Sequence, residues 1–433
     1  MLRSSFLFTS LLLAAASSAS ALTLSIPDIA QRIVQHNPDL AAARLSIEEA
    51  RGRLLGAGRR ANPEAGFDLK HDPRFGEGAI GLSLDQKFPV TARLRLEKQL
   101  SAQLVAAAEL EVREMERKII AEAQTLAVRL LSIEQQRALR KQQMELATKL
   151  ADFAKGRAAV GELSALDAAQ AQVDAQRLLL EGRKLDTERV SFIGELKPKL
   201  GLSSQSDLSV TGELPAMKSV AAMRGWEQRA DYQLARLKEE SSLTDIDLAR
   251  SKKWEDISVG AVLEGERMED APEGLSRTGF LGFRVSIPLP FWNKNEGEIA
   301  EKTASAQRAA LETKALGSLI ANEAQAALNE MKANAALAAE TKDKLLPLVN
   351  EQTAKLEKAY ESGQTDLFTV LRARDQRLQL EAAVLDATRD YHLARIRYEA
   401  ATRSAPAPQP VAIPETSPFK STRASKPTMR TGK

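Results

Sequence analysis

Two stretches of this chain, 91–153 and 295–359, carry helical periodicity without a break except at Pro347, where the second is expected to kink or split. At about 1.5 Å per residue each reaches on the order of 90–100 Å, several times the diameter of a small domain. One globular core cannot cover a helix of that length, so both must run in a tube or a stalk. In the first, an apolar stripe passes through Leu100, Leu104, Ala108, Val112, Met115, Ile119, Ala123, Leu126, Leu130 and Ile133. Its mean spacing of about 3.67 residues favours straight or slightly right-handed winding. Val370, Ala373, Arg377, Leu380, Val384, Ala387, Tyr391, Ala394 and Tyr398 step instead by about 3.5, the spacing of a left-handed coiled coil.

The long helices belong to a unit that occurs twice. NPDLAAAR at 37–44 matches RADYQLAR at 229–236, with Asp39 on Asp231 and Arg44 on Arg236. Pro89 falls on Pro288, and VGELSALDAAQAQ falls on SGQTDLFTVLRAR with Gly161 on Gly363. The offset drifts only from 192 to 202 residues, as expected of two copies that differ in loop length. Each copy reads helix, strand, turn, strand, long helix, turn, helix. The first covers 22–223, with a hairpin at about 64–88, the long helix 91–153 and a returning helix 162–200. The second covers 224–402, with a hairpin at about 255–287, the long helix 295–359 and a returning helix 364–402.

Both hairpins alternate with period two. Ala65, Phe67 and Leu69 oppose Glu64, Asp68 and Lys70, and Ile80, Leu82, Leu84 and Phe88 oppose Gly81, Ser83, Asp85 and Lys87. In the second copy Ile257, Val259, Ala261 and Leu263 oppose Asp256, Ser258, Gly260 and Glu264, and Leu281, Phe283, Val285 and Ile287 oppose Gly282, Arg284 and Ser286. Such alternation fits a sheet on a core or a membrane barrel with one lipid face and one wet face.

Aromatic placement favours the barrel. Aromatic residues are only 4% of the chain, so the helices are expected to bury Ala and Leu, and eight of the 12 Phe and Trp residues between 22 and 402 lie in the two hairpin regions. Phe88, Trp254, Phe291 and Trp292 gather at one end of strands that run up and down, with Phe75 and Phe280 toward the other, the layout of interfacial girdles. Four strands cannot close a barrel, which takes roughly eight at least. Three copies give twelve strands and room for a passage.

The ends of the chain read differently from its body. MLRSSFLFTSLLLAAASSASA has a basic start, a short apolar run and a small-residue cleavage site, the pattern of a secretory signal peptide over 1–21. Residues 403–433, rich in Pro, Ser, Thr and Lys, are expected to form a disordered basic tail. These ends hold seven of the 61 basic residues and one of the 58 acidic ones, leaving 54 against 57 in the body. That mildly acidic body has no nucleic-acid footprint. Cysteine is absent, which excludes thiol catalysis and an acylated N-terminal cysteine, and His36, His71 and His392 are scattered. Without a phosphate-binding glycine loop, paired catalytic carboxylates or a metal constellation, no enzyme activity, cofactor or metal is expected.

The duplicated order, the opening ALTLSIPDIAQRIVQHNPDLAAAR and the two glycine-containing helical turns resemble the outer-membrane efflux proteins, the TolC-like channels, over about residues 25–402. The resemblance implies a mainly α fold with a small β part, built as a homotrimer. A twelve-stranded barrel with four strands per chain would stand in outer-membrane lipid and continue into a long periplasmic α-helical barrel. It further implies a passive duct for metal cations or drugs, docked to a periplasmic membrane-fusion adaptor and an inner-membrane pump of the resistance-nodulation-division type. LDQKFPVTARLRLE at 84–97 and IPLPFWNKNEGEIA at 287–300 are similar to the heavy-metal, CzcC-like branch.

By the same resemblance the turns Val160-Gly161-Glu162-Leu163-Ser164 and Ser362-Gly363-Gln364-Thr365-Asp366 form the adaptor-docking tips. The residues themselves agree with turns, since glycine tolerates a left-handed conformation and Ser164 and Asp366 stand at capping positions. Where drug-efflux members carry an acidic constriction ring, this chain has Thr369 and Arg372, with Asp167 at the corresponding place after the first turn. The acidic ring is therefore not carried over, and Asp167 with Arg372 is the candidate mixed constriction. A protein-secretion channel uses the same architecture. A periplasmic adaptor fits less well, because it would carry one helical hairpin between β-rich halves.

Overall fold

The computed structural model describes residues 22–73, 77–218, 225–270 and 274–402. The signal peptide, the basic tail and Phe75 lie outside the described residues. Two short helices, α1 (Ile26–His36) and α2 (Pro38–Gly56), lead to strands β2 (Glu64–His71) and β3 (Gly78–Phe88). Then come α3 (Arg93–Ala159) and the returning α4 (Ala165–Lys199). The second half repeats this with α5 (Ala230–Ser251), β5 (Ile257–Asp270), β6 (Gly274–Ser286), α6 (Glu296–Glu340), α7 (Leu346–Glu361) and α8 (Leu367–Thr402). The three-residue strands β1 (Leu22–Leu24) and β4 (Leu208–Val210) pair in parallel. The sequence did not lead us to expect them, because three residues are too few to show alternation.

α3 is 67 residues long, on the order of 100 Å, and runs farther toward the turn than its periodicity suggested. Its two ends have different neighbours. Near the sheet it packs against α2 and α5, and toward the turns against α4 and α8, while α6 packs on α5 and α8. Of its expected stripe, Ala108, Val112, Ala123, Leu126, Leu130 and Ile133 are buried, but Leu104 and Met115 are exposed. At their level α2 and α5 pack on α3, Glu116 being buried 4.0 Å from Arg44 of α2 and Ala107 and Glu114 buried on the opposite flank. On α8, Val370, Ala373, Ala387, Tyr391, Ala394 and Tyr398 of the 3.5-residue stripe are buried, whereas Arg377, Leu380 and Val384 in its middle are half-buried.

Two equivalent cores hold the helices together. In the first, Ala123, Leu126, Ala127 and Leu130 of α3 pack with Leu196 of α4 and with Leu24, Ile29, Ile33 and Leu208. In the second, Ala324, Ala327, Leu328 and Met331 of α6, each 201 residues on, pack with Tyr391, Ala394, Tyr398 and Ala401 of α8. Small residues at these contacts let helix axes approach closely, which is how a chain poor in aromatics packs densely. Because Leu196 and Tyr398 sit near the ends of α4 and α8, these helices return only to the middle of α3 and α6.

Pro347 leaves its mark one turn upstream. A wide π-helical turn, Thr341–Leu345, joins α6 to α7, so the long helix continues through the proline rather than splitting. Proline has no N–H for the carbonyl four residues back and its ring collides with that carbonyl, and a wider turn relieves both. At the base of the sheet, side chains brace the strand-to-helix junctions. Arg93 at the start of α3 pairs with Asp256 at 2.6 Å and Glu97 at 2.8 Å. Asn295, left-handed with φ 59, precedes α6 and donates to the Ala249 carbonyl at 2.8 Å and to Glu298 at 2.7 Å.

Candidate functional site

The four long strands form one antiparallel sheet in the order β2-β3-β5-β6. Residues paired across an antiparallel ladder point to the same side, so the register decides how the four alternating patterns combine. Phe67 pairs with Leu82, Leu82 with Leu263, and Leu263 with Leu281. The row beside it joins Ala65, Leu84, Ala261 and Phe283. All four apolar sets therefore lie on one face, and the other carries Asp68, Gly81, Glu264, Asp85, Gly260 and Arg284.

No layer of the chain covers the apolar face among the described residues. Leu263 is 55% exposed, Leu281 67% and Phe283 80%. In water so continuous an apolar surface is costly, and a two-sided sheet of this kind marks an interaction with lipid or another apolar layer. Among the described residues the two outer strands, β2 and β6, have no strand partner on their outer edges. Open edges beside an apolar face are a liability that closure into a barrel removes.

At the helix-proximal end of the sheet Phe88 pairs with Ile257, Trp254 enters β5, and Phe291 and Trp292 follow β6. Phe291 and Trp292 stand edge to face at 6.2 Å, and Trp292 is 95% exposed. Phe280 differs from the expectation of a second girdle. It pairs with Glu264 at the middle of β6, and its even position puts it on the polar face. The mismatch is one of parity: Gly279 and Leu281 hold the apolar side, so Phe280 between them turns to the other.

The two helical turns are built alike. Gly161 has φ +79 and Gly363 φ +73. In the first turn the Gly161 N–H donates to the Ala158 carbonyl and the Glu162 N–H to that of Arg157. In the second, Gly363 donates to Tyr360 and Gln364 to Ala359. Each pair of bonds closes a helix C-terminus through a left-handed glycine. Glu162 is further held in an ion pair with Arg157. Ser164 accepts the Leu166 N–H at 3.1 Å and Asp366 accepts that of Thr369 at 3.0 Å, starting α4 and α8. Leu163 and Thr365 are half-buried. A Cβ at either glycine meets nothing within 4 Å, so Gly161→Ala and Gly363→Ala are expected to cost only the conformational term, about 1–2 kcal/mol each. Thermal unfolding and hydrogen exchange at the turn would measure it.

The backbone bond from Thr369, with its hydroxyl bond, holds the Asp366 carboxyl below its ordinary value of 3.8. A lowered carboxylate contributes stability that is present above the ordinary value and lost as pH falls through the lowered one. Fraying of the α8 start is therefore expected only in that acid window, and Asp366→Ala should remove the dependence, as backbone amide exchange near Thr369 would report.

The candidate constriction residues are not joined to one another. Thr369 is engaged as the cap partner of Asp366, through its hydroxyl at 3.0 Å. The Arg372 guanidinium lies 4.5 Å from the centre of the Phe368 ring, and Asp167 stands exposed in the first turn of α4. One acidic group that sequence reasoning missed is Asp375, half-buried on α8. Burial raises its carboxyl, against a hydrogen bond from Gln379 at 2.7 Å and the positive charges of Arg177 and Arg140, with Asp174 nearby. It follows an arginine in the segment LRARDQ, and only the docking of α8 on α3 brings it near the charges of Arg140, Arg177 and Asp174. No group of three or more His, Asp or Glu side chains among the described residues is placed to hold a metal ion. No helix among them is long and apolar enough to cross a membrane.

The chain matches no protein-family model and no curated protein. Solved structures do match it over nearly its whole length. The outer-membrane channel OprN has 16% identity and a TM-score of 0.72, over 89% of this chain and 91% of that one. The Campylobacter jejuni CmeC outer membrane channel has 15% identity and a TM-score of 0.70, over 87% and 85%. The Neisseria gonorrhoeae MtrE outer membrane channel in its open state has 14% identity and a TM-score of 0.66, over 89% and 91%. The chain thus has the TolC-like channel fold, mostly helical with a small sheet part.

Proposed function

We propose that this protein is the outer-membrane channel subunit of a tripartite efflux system, a passive duct from periplasm to exterior. The observation that carries the reading is the exposed apolar face of a four-stranded sheet with two open edges, fused to helices on the order of 100 Å long. Three copies, each pairing the outer edge of β6 with the β2 of the next, would close a twelve-stranded barrel and bring the long helices into a tube below it. The apolar face then meets lipid and the polar face, with Asp68, Glu264 and Arg284, lines the passage. The helical tube extends into the periplasm, where the two turns dock a membrane-fusion adaptor coupled to a resistance-nodulation-division pump. The segments 84–97 and 287–300 resemble the heavy-metal branch, and the cargo is metal cations or drugs.

Detergent extraction followed by planar-bilayer recording tests the duct. A detergent-dependent trimer with stable conductance is expected, and a water-soluble, non-conducting monomer would sink the proposal. Because the chain has no cysteine, Leu163→Cys and Thr365→Cys each introduce a single crosslinking site. Adaptor adducts are expected from both, and adducts no more frequent than from a mid-helix control such as Glu145→Cys would rule out docking at the tips.

A further inference from the structure

The far rim of the apolar face carries a pair of charges that the channel reading does not use. In the register Arg267 of β5 lies directly opposite Arg277 of β6, and both share the apolar side with Leu263 and Leu281. Like charges directly opposite on a sheet repel, with Cβ atoms about 4.5–5.5 Å apart. Both are exposed, and among the described residues neither guanidinium has an ion pair or a side-chain hydrogen bond. Glu269, the next residue of β5 on this face, pairs with Leu275 and bonds neither arginine.

Just below the arginines the sheet surface is hollow. Gly78 pairs with Arg267, and Gly265 pairs with Gly279, so three positions on this face have no side chain. A Cβ at Gly265 meets nothing within 4 Å, and the recess they floor is flanked by Ile80 and both arginines.

The position along the membrane normal is also defined. From Ile257, level with Phe88, to Arg267 is ten residues, about 34 Å along a strand. At the usual barrel tilt of roughly 40° this projects to about 25 Å, the height of a barrel's apolar band. The aromatic cluster marks its helix-proximal border, and the arginines mark the border away from the helices.

We propose that Arg267 and Arg277, above the Gly78, Gly265 and Gly279 recess, bind a phosphate group on the headgroup of a lipid in the outer leaflet. A phosphate monoester offers three oxygens and up to two negative charges, enough to receive forks from two guanidiniums and offset both, which one carboxylate cannot do. The glycine floor makes room for the part of the headgroup next to the phosphate, and the apolar rows below accept acyl chains. The proposal rests on the membrane-barrel reading.

The test uses the detergent-purified trimer, titrated with phosphorylated lipid A, with the same lipid after phosphatase treatment, and with inorganic phosphate, followed by native mass spectrometry and trimer dissociation temperature. The phosphorylated lipid is expected to bind and to raise the dissociation temperature, and the other two are not. Arg267→Gln with Arg277→Gln should weaken lipid binding about tenfold or more while conductance persists. Gly265→Leu, which keeps both charges and fills the recess, should weaken it as well. If the glutamine pair does not assemble, Arg267→Lys with Arg277→Lys keeps the charge and loses the forks, and the same weakening is expected. Equal binding of treated and untreated lipid, equal protection by inorganic phosphate, or variants that bind as the wild type does would each overturn the site. A wild-type protein that forms no conducting trimer would instead overturn the barrel reading beneath it.

Discussion

Leu263→Arg is expected to abolish assembly in the membrane, whereas Glu264→Arg, one residue along the same strand, is expected to leave it intact. Leu263 sits near the middle of the apolar face, between Leu82 and Leu281. In a barrel that level is the bilayer midplane, where arginine on the lipid side costs about 2–4 kcal/mol per chain, or about 6–12 kcal/mol for three copies. Glu264 points to the opposite side, between Gly81 and Phe280, so a charge reversal there alters the lining of the passage and its ion selectivity. The pair separates the barrel from a water-exposed sheet. In the chain by itself Leu263 is already 55% exposed, and arginine would cost almost nothing in water. Heat-modifiable migration on gels and bilayer conductance of both variants would read the result, and equal behaviour would remove the lipid-facing assignment.

Arg229→Leu is expected to destabilise the chain by about 2–3 kcal/mol, because it leaves a half-buried carboxylate without its main partner. Arg229 is 7% exposed where the second repeat begins, with Nε and Nη2 donating to the two Asp231 oxygens at 2.8 and 2.6 Å. Its remaining nitrogen lies 3.6 Å from Glu323 of α6. Burial by itself would raise the Asp231 carboxyl. The bonds from Arg229 outweigh it, and the carboxyl sits below its ordinary 3.8. Such a lowered group adds stability above that ordinary value and loses it as pH falls through the lowered one. Without Arg229 only Arg117 and the Tyr232 N–H are left to oppose burial, and the carboxyl is expected to rise. The deficit of the variant should therefore be largest at neutral pH and shrink once the carboxyl is protonated in both proteins, as chemical denaturation across the acid range would show. A deficit independent of pH would mean that lost packing, not charge, is the cause.

The duplication hides this cluster from a reader of the sequence. Asn37 and Arg229 occupy equivalent places, 192 residues apart, as N-caps of α2 and α5. Asn37 does what its residue type suggests, accepting the Leu40 N–H at 2.7 Å and donating to the Lys199 carbonyl at 2.9 Å. Arginine is no capping residue, and its place is explained by the two bonds to Asp231 and the approach of Glu323 of α6. Thr369 and Arg372 show the same limit. Their positions after the turn were legible, yet a cap bond and an aromatic ring beside them, not a facing helix, occupy their polar groups. Phe280 was misplaced for a different reason: β6 begins at Gly274, earlier than its apolar alternation shows, so Phe280 falls at mid-strand.

The sequence by itself determined the order and approximate course of the long helices, the two left-handed glycine turns, the side of each strand that is apolar, and the repetition of all of these. Those features follow from the backbone, whose periods of 3.6 and 2 write themselves into neighbouring residues. Only the tertiary structure decided that the two hairpins join into one sheet in a register that stacks every apolar row on the same face. It also decided which half of α3 meets α2 and α5 and which meets α4 and α8, and that Arg267 faces Arg277 over a bare recess. These pairings join residues remote in sequence, and nothing in a local pattern records them, because they exist only once separate elements have docked.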